Sequence, residues 1–345
     1  MAELLSAQTM RGVLPARPAN SHKGTFGKAM VIAGAGRYPG AAFLSTSGAL
    51  RSGAGLVTLA CGRSIFGALA ASLHEATFLP LPEEDWGVLG ADAVRELEEH
   101  LHGYQALVLG PGLGREDATK TFLNRLLRFE TPQTTGMVGF LRTAPAAASD
   151  RTRRPGGFGF RRAEPVSEDA ANAEDSKQAA DQLPTMVIDA DGLFLLSQTE
   201  NWWEQVATNQ LILTPHPGEM AQMLKLEAAT QVNEDREGTA QRAAQEWKQI
   251  VVLKGAETVI AAPDGTVRVG PQGNPALATA GTGDVLAGVI GSLLAQGVQP
   301  FDAACLGVWL HAEAGQLVRR EVGEAGAVAG DLLPRLPRAI TQLRG

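Results

Sequence analysis

The stretch Gly281-Thr282-Gly283-Asp284-Val285-Leu286-Ala287-Gly288-Val289-Ile290-Gly291-Ser292-Leu293-Leu294 sets a glycine-broken turn directly before a long apolar run. With Asp284 as the lone charge before Gln296, the run predicts a helix over Asp284–Gln296 that is buried almost all round. A helix N-terminus carries unpaired N–H groups and the positive end of a dipole, and glycines let an anion approach that backbone closely. Gly281, Thr282 and Gly283 then form an anion hole, with Asp284 in the first turn beside it. Such a hole stabilises charge developing on a transferred phosphoryl group, and a carboxylate there is placed to take a proton from an attacking hydroxyl. The plain alternative is an ordinary turn whose aspartate complements the dipole. Lys254-Gly255 and Gly273-Asn274-Pro275 upstream tip the balance toward the functional reading.

Outward from this turn, short apolar runs end in Gly, Pro or Asp: Met30–Ala33, Leu56–Ala60, Ala106–Leu109, Met186–Ile188, Leu211–Leu213 and Ile250–Leu253. Nearly continuous apolar runs of this length suit strands covered on both faces. Helical patterns occupy Ala41–Arg51, Asp117–Leu127 and Ala240–Trp247, and three helices, Asp284–Gln296, Phe301–Arg320 and Asp331–Leu343, close the chain. The alternation predicts an α/β fold with a largely parallel sheet. Thr258–Ala262 and Thr266–Val269, joined by Pro263-Asp264-Gly265, read as a hairpin. From about 131 to 184 neither period persists; six arginines precede six acids, and a disordered surface insertion is expected there.

Composition narrows the partners. The 345 residues carry a formal net charge of −7, which gives no basic footprint for nucleic acid or an anionic membrane. Any anionic ligand must be held by local backbone donors and a few lysines. Forty residues are glycine, against a usual share of about 7%. The two cysteines, Cys61 and Cys305, have no metal-ligand spacing and read as buried thiols. Without a signal-peptide pattern or an apolar span, a cytoplasmic location is expected.

Three more loops follow predicted strands at the edge where open α/β sheets bind ligands. Gly34-Ala35-Gly36 with Gly40-Ala41-Ala42 is one, and Gly110-Pro111-Gly112-Leu113-Gly114 is the second. The third, Thr214-Pro215-His216-Pro217-Gly218-Glu219, holds His216 rigidly between two prolines, as a binding residue would be. Asp189 and Asp191 either cap a helix or order Mg2+ through water. His22 is a weaker ligand candidate, and His74, His100, His102 and His311 read as surface or core residues. Trp202, Trp203 and Trp247 read as packing.

In order, His22-Lys23-Gly24…Gly27-Lys28, Arg51-Ser52-Gly53-Ala54-Gly55, GPGLG at 110–114, DADGL at 189–193, TPHPGEM at 214–220, LKG at 253–255 and GTGDVLAG at 281–288 resemble the ADP/ATP-dependent NAD(P)H-hydrate dehydratases. The resemblance spans about Gly12 to Leu343 apart from the insertion, and implies a single ribokinase-like, three-layer α/β/α domain. It implies repair of the S epimer of hydrated NADH or NADPH: the added hydroxyl is phosphorylated by ADP or ATP, and loss of phosphate restores the nicotinamide ring. Carried over by motif, Asp284 is the general base and Gly281–Gly283 the anion hole. Ala41, Gly112, His216 and Asp284 are hydrate-binding positions; Lys254, Gly255, Ala256, Glu257, Thr258 and Gly283 are nucleotide-binding positions. The resemblance also implies Mg2+ bridging the phosphates, a homo-oligomer (a tetramer) and a separate epimerase, the residues before the domain being too few for one. ADP is the nucleotide favoured. Phe194 stands where the family often has Asn, and Ala280 where it often has Gly. The alternatives are a ribokinase-like kinase of a small alcohol such as a vitamin precursor, against which TPHPGE and GPGLG argue, and a non-catalytic nucleotide-binding module, against which Asp284 argues.

Overall fold

The computed structural model describes residues 2–129 and 183–345. The segment expected to be disordered lies, apart from residues 183–184, outside them. The strands are β1 (Glu3–Leu4), β2 (Lys28–Ile32), β3 (Leu56–Gly62), β4 (Thr77–Leu81), β5 (Ala106–Leu109), β6 (Thr185–Ile188), β7 (Leu211–Leu213), β8 (Ile250–Leu253), β9 (Val259–Ala261) and β10 (Val267–Val269). They form one ten-stranded sheet in the order β1-β10-β9-β8-β7-β6-β5-β2-β3-β4. β9 alone runs against its neighbours, being antiparallel to both β8 and β10.

The central strands are apolar at consecutive positions because both sheet faces are covered. Ala29, Val31, Val108 and Val187 point into one core with the helices Thr282–Ala295 and Pro300–Glu321. Met30, Ile32, Leu107 and Leu109 point into the other, with the helices Ala91–His100, Asp117–Leu126 and Arg236–Trp247. The three-layer α/β/α expectation is therefore met.

On the first face Thr282–Ala295 lies against the helix Pro39–Arg51 so closely that a Cβ on Gly48 would come 2.6 Å from the Val285 carbonyl oxygen, and one on Gly288 would overlap the Ser45 carbonyl. Side chains this small let two backbones touch. The Gly281 helix is thereby fixed in place by packing along its length.

Several elements differ from expectation. β4 carries Pro80, paired with Cys61, and forms the outer edge of the sheet, where a residue without an N–H is tolerated. The helix expected over Asp331–Leu343 divides into a 3-10 turn, Ala329–Leu332, and a helix, Leu336–Arg344, because Pro334 and Pro337 interrupt it. The helix expected from Ala240 begins at Arg236, where the Asp235 carboxylate accepts from the Gly238 N–H at 2.9 Å. Cys61 and Cys305 are free and buried, and burial pushes both thiols up to about 12. Among the described residues no helix is long and apolar enough to cross a membrane.

Strand order places a crevice at one edge of the sheet. From β2 the chain builds outward through β3 and β4, then returns to β5 on the other side of β2 and continues to β6, β7 and β8. The order reverses between β2 and β5, which makes a crevice at their carboxyl ends.

Candidate active site

Gly281 caps the helix Thr282–Ala295 with φ 90°, a left-handed value that glycine adopts without strain. The turn is held from two sides. The Thr282 hydroxyl lies 3.0 Å from the carbonyl oxygens of both Leu277 and Thr279, and His311 Nε2 lies 2.9 Å from the Thr282 carbonyl oxygen. Burial pushes the His311 imidazole down to about 4, so the ring is neutral and its proton sits on Nε2, donated to that carbonyl. His311 is thus a core residue, as expected, with a specific task.

Asp284 occupies the first turn. Burial first, then the nearby Asp189 carboxylate, raises its pKa from 3.8 to about 7, and Lys254 opposes the rise. A carboxylate near neutrality can accept a proton and give it up again under ordinary conditions.

The Lys254 ammonium is the centre of the charge cluster. It donates to Asp189 Oδ1 at 2.6 Å and lies 3.7 Å from Glu219 Oε2. Burial alone would push its pKa down, but Asp189, Glu219 and Asp284 outweigh it and hold the pKa above the ordinary value. The Thr214 hydroxyl donates to the same Asp189 oxygen at 2.8 Å. A Cβ built on Gly283 would stand 3.2 Å from Lys254 Nζ, so the ammonium lies against the glycine turn and adds a full charge to its backbone donors.

Asp189 and Asp191 diverge because Ala190 between them holds φ 50°, ψ −119°, a conformation that costs a residue with a side chain of order 1–3 kcal/mol. Asp191 accepts from the Gly114 N–H at 3.0 Å and from Arg115 Nε at 2.7 Å. It therefore orders the GPGLG loop. The Arg115 guanidinium lies 4.3 Å from the centre of the Phe194 ring, which gives this departure from the family pattern a role as a packing platform. Neither aspartate is an N-cap; that position belongs to Ala190.

Beside the glycine turn opens a cavity of about 820 Å³ whose lining includes Lys254, Gly255, Ala256, Glu257, Thr258, Thr282 and Gly283. Every residue expected at the nucleotide site faces one space. The β8–β9 loop that carries five of them is pinned by Arg236, whose Nη2 donates to the carbonyl oxygens of Leu253, Lys254 and Glu257 at 3.0–3.2 Å. Asn274, also in the lining, holds a buried Nδ2 that has no hydrogen-bond partner among the described residues.

Ala41 and Gly112 meet at the crevice between β2 and β5. A Cβ on Gly112 would stand 2.8 Å from that of Ala41. His216 is the N-cap of the helix Pro217–Met223, with Pro217 at the first helical position. Its Nδ1 accepts from the Gly218 and Glu219 N–H groups at 3.0 and 3.2 Å. Its side-chain contacts run to residues 218 and 219, so its tie is to the Lys254 cluster through Glu219. His22 caps an exposed 3-10 turn, where its Nδ1 accepts from the Gly24 N–H at 3.1 Å. Trp202, Trp203 and Trp247 pack together with ring centres 5.6–6.4 Å apart.

Comparison with known proteins decides the family. A family model described as NAD(P)H-hydrate dehydratase matches residues 29–138 and 165–338. The chain belongs to the NAD(P)H-hydrate dehydratase family. It is similar to a bifunctional NAD(P)H-hydrate repair enzyme Nnr of Moorella thermoacetica, 38% identical over 99% of this chain and 54% of that protein. It is also similar to an ADP-dependent (S)-NAD(P)H-hydrate dehydratase of Neisseria meningitidis serogroup B, 33% identical over 93% of this chain and 88% of that one. The chain spans about half the length of the bifunctional relatives. Among solved structures, an ADP/ATP-dependent NAD(P)H-hydrate dehydratase of Bacillus subtilis, co-crystallized with ATP/Mg2+, superposes with a TM-score of 0.72 at 26% identity, covering 99% of each chain. A hydroxyethylthiazole kinase of Pyrococcus horikoshii, at 14% identity and a TM-score of 0.53, shares the ribokinase-like fold.

Two contributors to this site, Arg236 and His311, act on backbone and no local pattern marks them. Thr214 opens the TPHPGEM run, but the sequence does not show that its hydroxyl donates to Asp189. Glu219 has a signal: a side-chain acceptor at 216 and a carboxylate three residues on is capping-box spacing.

Proposed function

We propose that the chain catalyses ADP- or ATP-dependent dehydration of the S epimer of hydrated NADH and NADPH. The observation that carries the reading is Asp284, poised near neutrality in the first turn of a glycine-capped helix whose N–H groups and neighbouring Lys254 face a cavity of nucleotide size. Membership of the NAD(P)H-hydrate dehydratase family and similarity to the Neisseria ADP-dependent (S)-NAD(P)H-hydrate dehydratase support it.

The derived chemistry runs in two steps. Ionised Asp284 takes the proton of the added hydroxyl, and the hydroxyl oxygen forms a bond to the terminal phosphorus of the nucleotide. The bridging P–O bond breaks, leaving AMP from ADP or ADP from ATP. The Gly281–Gly283 N–H groups and Lys254 hold the charge on the transferred group. The C–O bond of the new phosphate ester then breaks, phosphate leaving with the electron pair, and the neighbouring carbon gives its proton to water while the C–H pair forms the ring double bond.

Among the described residues no three His, Cys, Asp or Glu side chains are grouped to hold a metal. This donor set still fits Mg2+, which typically keeps several waters and binds through one or two carboxylates and the phosphates. Asp189, whose Oδ2 lies toward Gly283, is the carboxylate that would hold it, and the ion would neutralise phosphate charge. Ala41, Gly112 and His216 are assigned to the hydrate, and the 254–258 loop to the nucleotide. An epimerase activity supplies S hydrate from the R form, a homo-oligomer is the proposed assembly, and a cytoplasmic site of action is proposed with it.

Incubating the protein with hydrated NADPH, Mg2+ and ADP or ATP restores the dihydronicotinamide absorbance on this reading, and the faster nucleotide, proposed to be ADP, is the natural one. Recovery with neither nucleotide refutes it. Phosphorylation of a small alcohol in place of recovery would favour the kinase.

A further inference from the structure

We infer that Glu219 is a positioning residue that couples occupation of the nucleotide site to the setting of His216, and so to binding of the hydrate. The inference rests on the proposed dehydratase reading for the identity of the two ligands. A capping box requires a single side-chain oxygen at the third helical position, accepting from the N-cap N–H. Glu219 Oε2 does this, at 2.8 Å from the His216 N–H. A glutamine would serve equally.

The Glu219 carboxylate does more than cap. Its Oε2 also faces Lys254 Nζ at 3.7 Å, and its Oε1 faces His216 Nε2 at 3.5 Å. Its side chain is 12% exposed and that of Lys254 18%, so water screens their contact weakly, whereas the His216 ring reaches solvent at 56%. One half-buried negative charge thus looks in two directions, toward a lysine assigned to the nucleotide and toward a histidine assigned to the hydrate.

The two contacts of Lys254 are unequal. The contact to Asp189 at 2.6 Å is a charge-assisted hydrogen bond, whereas 3.7 Å to Glu219 is beyond hydrogen-bond reach. A phosphate arriving at the glycine turn competes for the ammonium, and the longer contact is the one that yields. The Glu219 charge is then left to His216. Because Nδ1 of that ring accepts from two backbone N–H groups, its proton is on Nε2, which lies 3.5 Å from Glu219 Oε1. A carboxylate released from Lys254 is free to close on that proton and fix the imidazole from both edges. Nucleotide therefore improves hydrate binding, and by linkage the hydrate improves nucleotide binding by the same factor.

The test uses the intact chain with Mg2+ and α,β-methylene ADP, which binds without transferring phosphate. The affinity for hydrated NADPH is titrated with and without that nucleotide. In the wild type the nucleotide tightens hydrate binding by about fivefold or more. Glu219→Gln keeps the cap and the fold, checked by thermal unfolding, but its ratio falls to about one. His216→Asn, which supplies another good N-cap, loses the coupling as well when followed from the nucleotide side. An undiminished ratio in E219Q, or no ratio in the wild type, overturns the inference. Turnover of hydrate by the same wild-type preparation separates the cases. Turnover without coupling overturns this inference alone, and absence of turnover removes the dehydratase reading and this inference with it.

Discussion

Replacing Asp284 by Asn tests the site through stability and activity together. The carboxyl of Asp284 titrates near 7 in the fold against 3.8 outside it, because burial and the facing carboxylates disfavour its charge. Between those values the folded state binds the extra proton. Its stabilising contribution is therefore full below 3.8 and is lost as pH rises through about 7. A shift of about three pH units at about 1.4 kcal/mol each sets a ceiling of ~4 kcal/mol on the cost of ionising it. Because Asp284 is only half-buried, solvent screening reduces this to ~2 kcal/mol. Asn keeps the shape without the charge. D284N should exceed the wild type in stability by less than half as much at pH 5 as at pH 8.5, where the gap reaches ~2 kcal/mol, a rise of a few degrees in Tm for a chain of this size. Hydrate turnover should fall by two orders of magnitude or more, as loss of a general base does. Wild-type kcat/KM should rise with pH through about 7. Urea denaturation at the two pH values, with turnover measured in parallel, reads all three. Equal stability of D284N and wild type at pH 8.5 would refute the argument that a charged Asp284 is strained in place.

Other expectations follow from single contacts. Gly288→Ala puts a methyl into the Ser45 carbonyl and should destabilise the fold by about 1–3 kcal/mol in urea denaturation; an unchanged midpoint would mean the two helices are not in backbone contact. Ala190→Gly relieves the φ 50°, ψ −119° conformation; the strain recovered, of order 1–3 kcal/mol, exceeds the cost of glycine freedom, about 0.5–1 kcal/mol, so Tm should rise, and a fall would argue against that backbone. Burial holds His311 at about 4, below its usual 6.5, so its contribution is present above 6.5 and is lost as pH falls toward 4. His311→Gln, which can still donate to the Thr282 carbonyl, should flatten the acid limb by up to ~3 kcal/mol, and an unchanged limb would show that the ring is already charged in the fold.

The strands β2, β3, β5, β6, β7 and β8 were legible because a strand covered on both faces has no polar positions to interrupt it. β4 was not, since Pro80 argues against a strand until its edge position is known. The helix Ala91–His100 buries only Ala93, Val94 and Leu97, a stripe too thin to stand out in a charged segment. In the site, the anion hole and Asp284 are local, one turn of chain, and could be read directly. The cluster of Asp189, Thr214, Glu219 and Lys254 is assembled from the ends of three strands, and the distances that give each residue its task exist only once β6, β7 and β8 lie side by side.

The reversed strand β9 has one further consequence. A parallel continuation from β8 would have sent the chain away through a crossover helix before it returned. The antiparallel turn instead confines residues 254–258 to a short bridge between two paired strands, in register at Leu253 and Val259. Such a bridge has no slack. An inserted or deleted residue would have to be absorbed by slipping β9 against both neighbours, which turns its buried side chains to the opposite face. If residues 254–258 hold the nucleotide as proposed, a change of nucleotide preference is open to substitution along the bridge or on the helical wall carrying Val308, His311 and Ala312, and closed to changes in loop length.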